Sequence, residues 1–389
     1  MVSDNKKVRI IALYLPQYHP FDDNDKWWGK GFTEWTTVGN AKPLFHGHYQ
    51  PHVPADLGYY DLRMPEVREA QATMAREAGI EGFCYWHYWF GNDQQLLERP
   101  FNEVLQTGKP DFPFCLGWAN HSWTNKSWNS NKKYVEESVL REQTYSVEDH
   151  KKHFYSLLPA FRDTRYIKVD GKPIFVVFSP RTIPNVSEFI TLWNELAKEN
   201  NLKGIHFVGI YENFEVRSVG VENKSNYKIP DFKKSAEICY NRILNLGFEA
   251  VNSRGNNRAQ MKVNTFFIYY FKRLLKYKFK FKFIQRYNYE KIIKNLFVHE
   301  DNWDNVYPTI IPNWDRSPRS GRDAIIWHNS NPKLFENHVR QVLKIVENKP
   351  DEHKIIFLQS WNEWAEGNYI EPDIIFGNSY LEVLKKCIL

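Results

Sequence analysis

Glu363 and Glu366 stand three residues apart in FLQSWNEWAEGNYIEP, residues 357–372, each within two residues of a tryptophan, Trp361 or Trp364. The β-branched and aromatic run from Ile355 to Leu358 reads as a strand that feeds a turn carrying both acids. Two carboxyls, one protonated and one ionised, are the minimum equipment for breaking or making a glycosidic bond. Indole faces beside them stack on sugar rings and raise the pKa of a buried acid. On a continued strand, residues at i and i+3 point to opposite faces, whereas on a helical turn their Cβ atoms come to about 5–6 Å. The chain must therefore turn between Trp361 and Glu366, and Asn362 with Gly367 tolerates the backbone angles such a turn needs. A solvated surface turn is the bland alternative, but two Trp, a Tyr and a third acid, Glu371, crowd the same stretch.

Earlier elements must hold that turn in place. Apolar runs at Arg9–Pro16, Gly82–Trp89, Phe112–Trp118, Pro173–Phe178, Ile205–Tyr211, Phe248–Val251, Val306–Pro312 and Ile355–Ser360 read as eight strands. Helical patterns separate them at Pro65–Ala78, Leu96–Gln106, Val147–Phe161, Ser187–Glu199 and Lys333–Glu347, the last behind an Asn331-Pro332 start signal. Strand alternating with helix predicts an α/β fold, a single (β/α)8 TIM barrel over residues 1–389 with an insertion at 258–300 after strand six. Chemistry in such a barrel belongs at the C-terminal strand ends. Those ends carry Tyr18 and His19; Trp86 and His87; Trp118, Asn120 and His121; Tyr211; and Trp314 and Asp315. With Trp35, Trp361 and Trp364 they are the candidate substrate-binding residues. For His87 or His121 a satisfied structural histidine competes evenly with a binding role.

The chain is 16% aromatic, with 14 Trp, 22 Tyr and 27 Phe, more than core packing asks for and suited to a carbohydrate cleft. Cys84, Cys115, Cys239 and Cys387 share no metal spacing and read as buried reduced thiols, and no glycine-rich phosphate loop opens a helix, so no cofactor is expected. MVSDNKKVRIIALYLP reads as a first strand rather than a signal peptide, and no stretch is apolar enough to span a bilayer. The expectation is a cytoplasmic chain. Residues 271–294, FKRLLKYKFKFKFIQRYNYEKIIK, hold nine Lys/Arg and one Glu, a net +8 against +6 for the whole chain. This segment either rests on an anionic membrane surface, which would make the protein peripheral to the inner membrane, or packs its aromatics on the barrel with its lysines solvated. Nucleic acid is not expected, since no recognition motif accompanies the charge.

LYLPQYHP, WWGKGFTEWTTV, GFCYWHYW, WANHSW and WNEWAEG resemble the WbsX-type family of bacterial surface-polysaccharide biosynthesis proteins, itself similar to glycoside hydrolase family ninety-nine, the endo-α-mannosidases. The resemblance runs from Arg9 to about Pro372 and implies a metal-independent TIM-barrel enzyme acting on an O-antigen or capsule type glycan, free or lipid-linked. It places the catalytic pair on Glu363, as the base that takes the proton of a sugar 2-hydroxyl and gives a 1,2-anhydro intermediate, and on Glu366, as acid/base at the leaving oxygen. Two short patterns suit a nucleotide-sugar-dependent glycosyltransferase instead: the D-x-D at Asp23-Asn24-Asp25 and the spacing of Glu363 to Glu371. A non-catalytic glycan-binding barrel is the alternative from another class, and it would not need both glutamates.

Overall fold

The computed structural model describes residues 8–125, 138–211, 232–264, 271 and 283–389. Its centre is a ring of eight parallel strands: β1 Arg9–Tyr14, β2 Gly82–Trp89, β3 Phe114–Trp118, β4 Lys172–Val177, β5 His206–Tyr211, β6 Ala250–Ser253, β7 Val306–Ile310 and β8 Ile355–Leu358. Each strand pairs with the next in parallel. β8 closes the ring on β1, with Arg9 opposite Ile355 and Ala12 opposite Leu358. All eight strands of the sequence reading are present, and the fold is the (β/α)8 barrel.

Helices α1 Asp22–Trp28, α2 Glu34–Gly39 and α3 Pro65–Glu77 follow β1, and α4 Arg99–Thr107, α5 Val147–Arg162, α6 Val186–Glu199 and α7 Phe232–Leu244 follow β2 to β5 in turn. α8 Asn256–Val263 follows β6, and α9 Pro332–Val346 and α10 Ser379–Ile388 follow β7 and β8. Local chemistry sets the ends. Asn331 accepts the Leu334 N–H with Pro332 in the first turn, and Ser146 caps α5 through the Asp149 N–H. The third strand starts at Phe114 rather than Phe112 because Pro113 has no N–H to give the ladder, though its carbonyl accepts the Phe83 N–H. The helix expected from Leu96 starts at Arg99, since Leu96 pairs antiparallel with Tyr88.

Within the span expected as an insertion, Gln285–Asn288 forms a strand that pairs with Ile325–His328, which in turn pairs with Trp314–Asp315. A second small core of Ala259, Tyr287, Tyr289, Ile292, Ile311, Trp314 and Trp327 lies beneath this sheet. Lys272 to Lys282, where most of the basic charge lies, and the Glu212-Asn213 end of strand five fall outside the described residues. Cys84, Cys115, Cys239 and Cys387 are all free thiols. Among the described residues no helix is long and apolar enough to cross a membrane.

Candidate active site

β8 ends at Leu358, and a 3-10 turn at Trp364–Glu366 follows. The Glu366 N–H donates to the Glu363 carbonyl at 3.2 Å and the Gly367 N–H to the Trp364 carbonyl at 3.1 Å, so the two acids flank one tight turn. Gly367 has φ +65°, and a Cβ there would meet the Asp315 backbone nitrogen at 2.6 Å. Asn362 ties the turn to the end of β1: its Oδ1 accepts the Leu15 N–H at 2.7 Å and its amide donates to the Leu15 carbonyl at 3.0 Å. The Glu363 N–H donates to Ser360 Oγ at 2.8 Å.

Arginines and a third carboxylate complete the arrangement. Glu366 Oε1 accepts from Arg319 Nη1 at 2.7 Å and lies 3.2 Å from Arg316 Nη2. The other arm of Arg319, Nη2, donates to Glu34 Oε1 at 2.8 Å, and that oxygen also takes the Ala365 N–H of the turn at 3.2 Å. Burial pushes Glu363 up to about 7, and the charges of Glu366 and Glu34 add to this against the pull of Arg319 and Arg254. Burial would also raise Glu366, but Arg316, Arg319 and Arg254 outweigh it and hold Glu366 below the ordinary carboxylate range. The two environments thus push the pair apart, with Glu363 raised to about 7 and Glu366 held down as the anion.

Alternation along the strands decides which neighbours reach this mouth, because successive side chains point to opposite faces. Trp86 points inward: its ring meets Phe178 at 5.8 Å, and the Arg254 guanidinium lies over both rings. Gly117 makes room for it, since a Cβ there would meet the Trp86 ring at 3.1 Å. His121 is solvent-exposed, with its ring 5.1 Å from Phe178. Trp86 and His121 thus share one wall with Phe178 and Arg254.

His87 and Trp118 have the opposite parity and face the helices. His87 Nδ1 faces the Gln95 amide and its Nε2 lies 2.8 Å from His153 Nε2 on α5; burial lowers it to about 3. Trp118 is fully buried, donates to the Trp89 carbonyl at 2.8 Å and packs on His153. Both belong to the core between barrel and helices, not to the cleft. Tyr211 likewise turns its ring to Tyr240 of α7, 5.4 Å away. Asn120 joins the loops after β3 and β4, donating to the Ser179 carbonyl and accepting the Ser179 N–H.

The remaining aromatics stand behind the turn. Tyr18 is buried; its hydroxyl donates to the Asn362 carbonyl and accepts the Trp364 N–H. Trp35 packs on Tyr18, Tyr60 and Trp364 and donates to the Tyr60 carbonyl. Trp361 is fully buried against Phe83, and Trp364 stacks on Tyr369 at 3.7 Å while donating to Glu371 at 2.7 Å. Glu371, also bound by Tyr60 and Gln71, is pushed by burial up to about 7 and supports Trp364. Trp314 stacks on Trp327, and Asp315 accepts from His48, Gln50 and the Ser317 N–H, so it is a strut of the loop that carries Arg316 and Arg319. His48 Nδ1 takes the Leu44 N–H, which leaves the proton of the neutral ring on Nε2 to donate to Asp315. His19 is buried beside Phe21 and lowered to about 4 by burial. Asp23 pairs with Arg141 and Asp25 accepts the Gly31 N–H, so both acids of the D-x-D brace loops.

Sequence reading passed over Glu34, Tyr88, Arg254, Arg316 and Arg319. Tyr88 is buried on the inward side of β2, and the charge of Glu363 adds to burial in pushing its hydroxyl up. Glu34 lies inside GFTEWTT and Arg254 one residue past β6, but only the closed ring brings these loops together.

The barrel resembles a solved structure described as a glycoside hydrolase-like protein, with TM-score 0.56 and 15% identity, covering 98% of this chain and 94% of that one. It also resembles the GH99 endo-alpha-mannosidase from Bacteroides thetaiotaomicron, with TM-score 0.53 and 13% identity, covering 99% and 96%. These likenesses show a shared (β/α)8 fold. The sequence pattern of Glycosyltransferase WbsX matches residues 10–384. The chain belongs to this WbsX family. It is 31% identical over 382 residues to "Uncharacterized protein WxcX" of two Xanthomonas campestris pv. campestris strains, covering 97% of this chain and 49% of theirs. The chain thus spans about half the length of the curated relatives it matches.

Proposed function

We propose that the chain breaks or transfers glycosidic bonds of a bacterial surface polysaccharide, with Glu363 and Glu366 as its proton-transfer pair. The observation that carries this reading is the unequal charge of two carboxyls on one turn at the C-terminal mouth of the barrel. Environments that push the pKa values of neighbouring acids apart mark one as donor and one as base or anion. In the resting site Glu363 has the proton to give to a leaving oxygen, and Glu366 is the carboxylate that stabilises positive charge at the anomeric carbon or takes a hydroxyl proton. Trp86, Phe178 and His121 offer ring surface to a sugar beside them.

A specific observation supports a second reading, transfer from a diphosphate-linked sugar. Arg316 and Arg319 both lie on Glu366, and guanidinium forks suit phosphate oxygens. A phosphate leaving group needs no proton. Incubating the protein with bacterial surface glycans, with and without nucleotide sugars, and following products by mass spectrometry separates the two. Shortened glycan without donor means hydrolysis; lengthening only with donor means transfer; no product in either arm, with intact glycan binding, means a recognition barrel.

A lipid-linked substrate would suit residues 271–294 as a contact with acidic lipid. In that case the protein sediments with anionic vesicles at low salt and is released as salt screens the charge over about 8–10 Å. Salt-independent binding, or none, would leave the segment as surface packing.

A further inference from the structure

Glu34 has no part in the reaction just described, yet it is a fully buried carboxylate at the first position of α2. Its Oε1 takes two donors that both belong to the acid site: Arg319 Nη2 at 2.8 Å and the Ala365 N–H, between the two glutamates, at 3.2 Å. Through the other arm of Arg319 it is one guanidinium away from Glu366, 2.7 Å beyond. Burying a carboxylate costs several kcal/mol unless it is paired. Its Oε2 is buried and has no hydrogen-bond partner among the described residues. A fold that needed only a strut here could use a neutral side chain.

We propose that Glu34 is a positioning residue of the acid pair: it fixes the Arg319 fork and the turn between the two glutamates, and its charge sets how that guanidinium is shared with them. The groups facing this cluster are Arg316 and Arg319 from the loop after Asp315, Arg254 after β6, Tyr88 from β2, and Tyr18 after β1. Burial raises Glu34 itself against the pull of Arg319, and in its ionised form it draws part of the Arg319 charge to itself and adds a negative charge near Glu363. Both effects favour the protonated form of Glu363. Neutralising Glu34 releases the guanidinium to the acid pair, and Glu363 then ionises at lower pH.

This inference takes the acid pair of the proposed function as its object, but its test needs no substrate. The full chain is labelled with 13C at the glutamate carboxyls and titrated by carbon-detected NMR, the Glu363 signal being assigned by its loss in Glu363→Gln. In Glu34→Gln, which can still accept from Arg319 and Ala365, the Glu363 midpoint should move to lower pH by about half a unit or more, roughly a threefold change in acid constant. The Glu371 midpoint, held by Trp364, Gln71 and Tyr60, should stay and serves as the internal control. An unmoved Glu363 midpoint in a native-like spectrum would overturn the proposal. If Glu34→Gln does not fold, Glu34→Asp, which withdraws the charge by one methylene, takes its place: a smaller shift in the same direction is expected, and none overturns it. A shift in Glu34→Gln together with a parent protein that forms no product from any glycan would count against the proposed function alone.

Discussion

A proton shared unequally between Glu363 and Glu366 has consequences that kinetics can read. Glu363 titrates at about 7 because burial and the nearby carboxylates oppose its charge, while Glu366 is held ionised by Arg316, Arg319 and Arg254. If Glu363 is the donor, kcat/KM should be highest below pH 7 and fall as pH rises through about 7. On activated aryl glycosides, whose leaving groups need little protonation, Glu363→Gln should keep much of its rate, whereas Glu366→Gln should lose about 100-fold or more. Kinetics across a series of leaving groups at pH 5 to 8 would check both. A rate that rises with pH through 7, with Glu366→Gln as the variant that survives on activated substrates, would restore the order implied by the resemblance.

The turn after β8 is the element on which this chemistry rests, and it rests in turn on Gly367. With φ +65° and the Asp315 backbone 2.6 Å from where a Cβ would stand, Gly367→Ala must strain the turn or push away the loop that carries Arg316 and Arg319. A loss of at least about 2 kcal/mol is expected, measured by urea unfolding, together with loss of activity even though neither glutamate is changed. Full stability would mean that the turn is looser than described. Much of this element was legible, because the need for both acids to face one substrate demands a turn, and Asn362 and Gly367 were there to make it. What could not be read was parity. YWHYW and WANHSW look alike as aromatic strand ends, but alternation sends Trp86 inward and His87 and Trp118 to α5, and one residue of register decides between them. Nor could Glu34, Arg254, Arg316 and Arg319 be gathered from loops so far apart in sequence.

At the scale of the whole molecule the eight-strand ring was the most legible feature, since eight apolar runs alternating with helical patterns leave few other folds. Its core also stores pH dependence in histidines that cannot charge. His338 is fully buried, its Nε2 accepts the Ile311 N–H at 3.2 Å, and burial lowers it to about 3. A folded-state pKa below the unfolded value of about 6.5 means that the unfolded chain binds the proton first, so this stability is present above 6.5 and is lost as pH falls. Between pH 7 and pH 5 the loss from His338 is about 2 kcal/mol. Glu363 and Glu371, raised to about 7, act in the opposite sense over much of that window, so the variant must be compared with the parent. His338→Gln, which can accept the same hydrogen bond without titrating, should flatten the fall in urea midpoint between pH 7 and pH 5. An unchanged slope would mean that His338 charges in place.

All three scales converge on two glutamates at the mouth of a barrel from the WbsX family. The most direct measurement is the release or transfer of sugar from bacterial surface glycans, by mass spectrometry, with the parent protein, Glu363→Gln and Glu366→Gln side by side at matched folding. The expected result is product from the parent and a loss of about 100-fold or more in each variant on the native glycan. Parent-like product formation by either variant would contradict the assignment of that glutamate to the reaction.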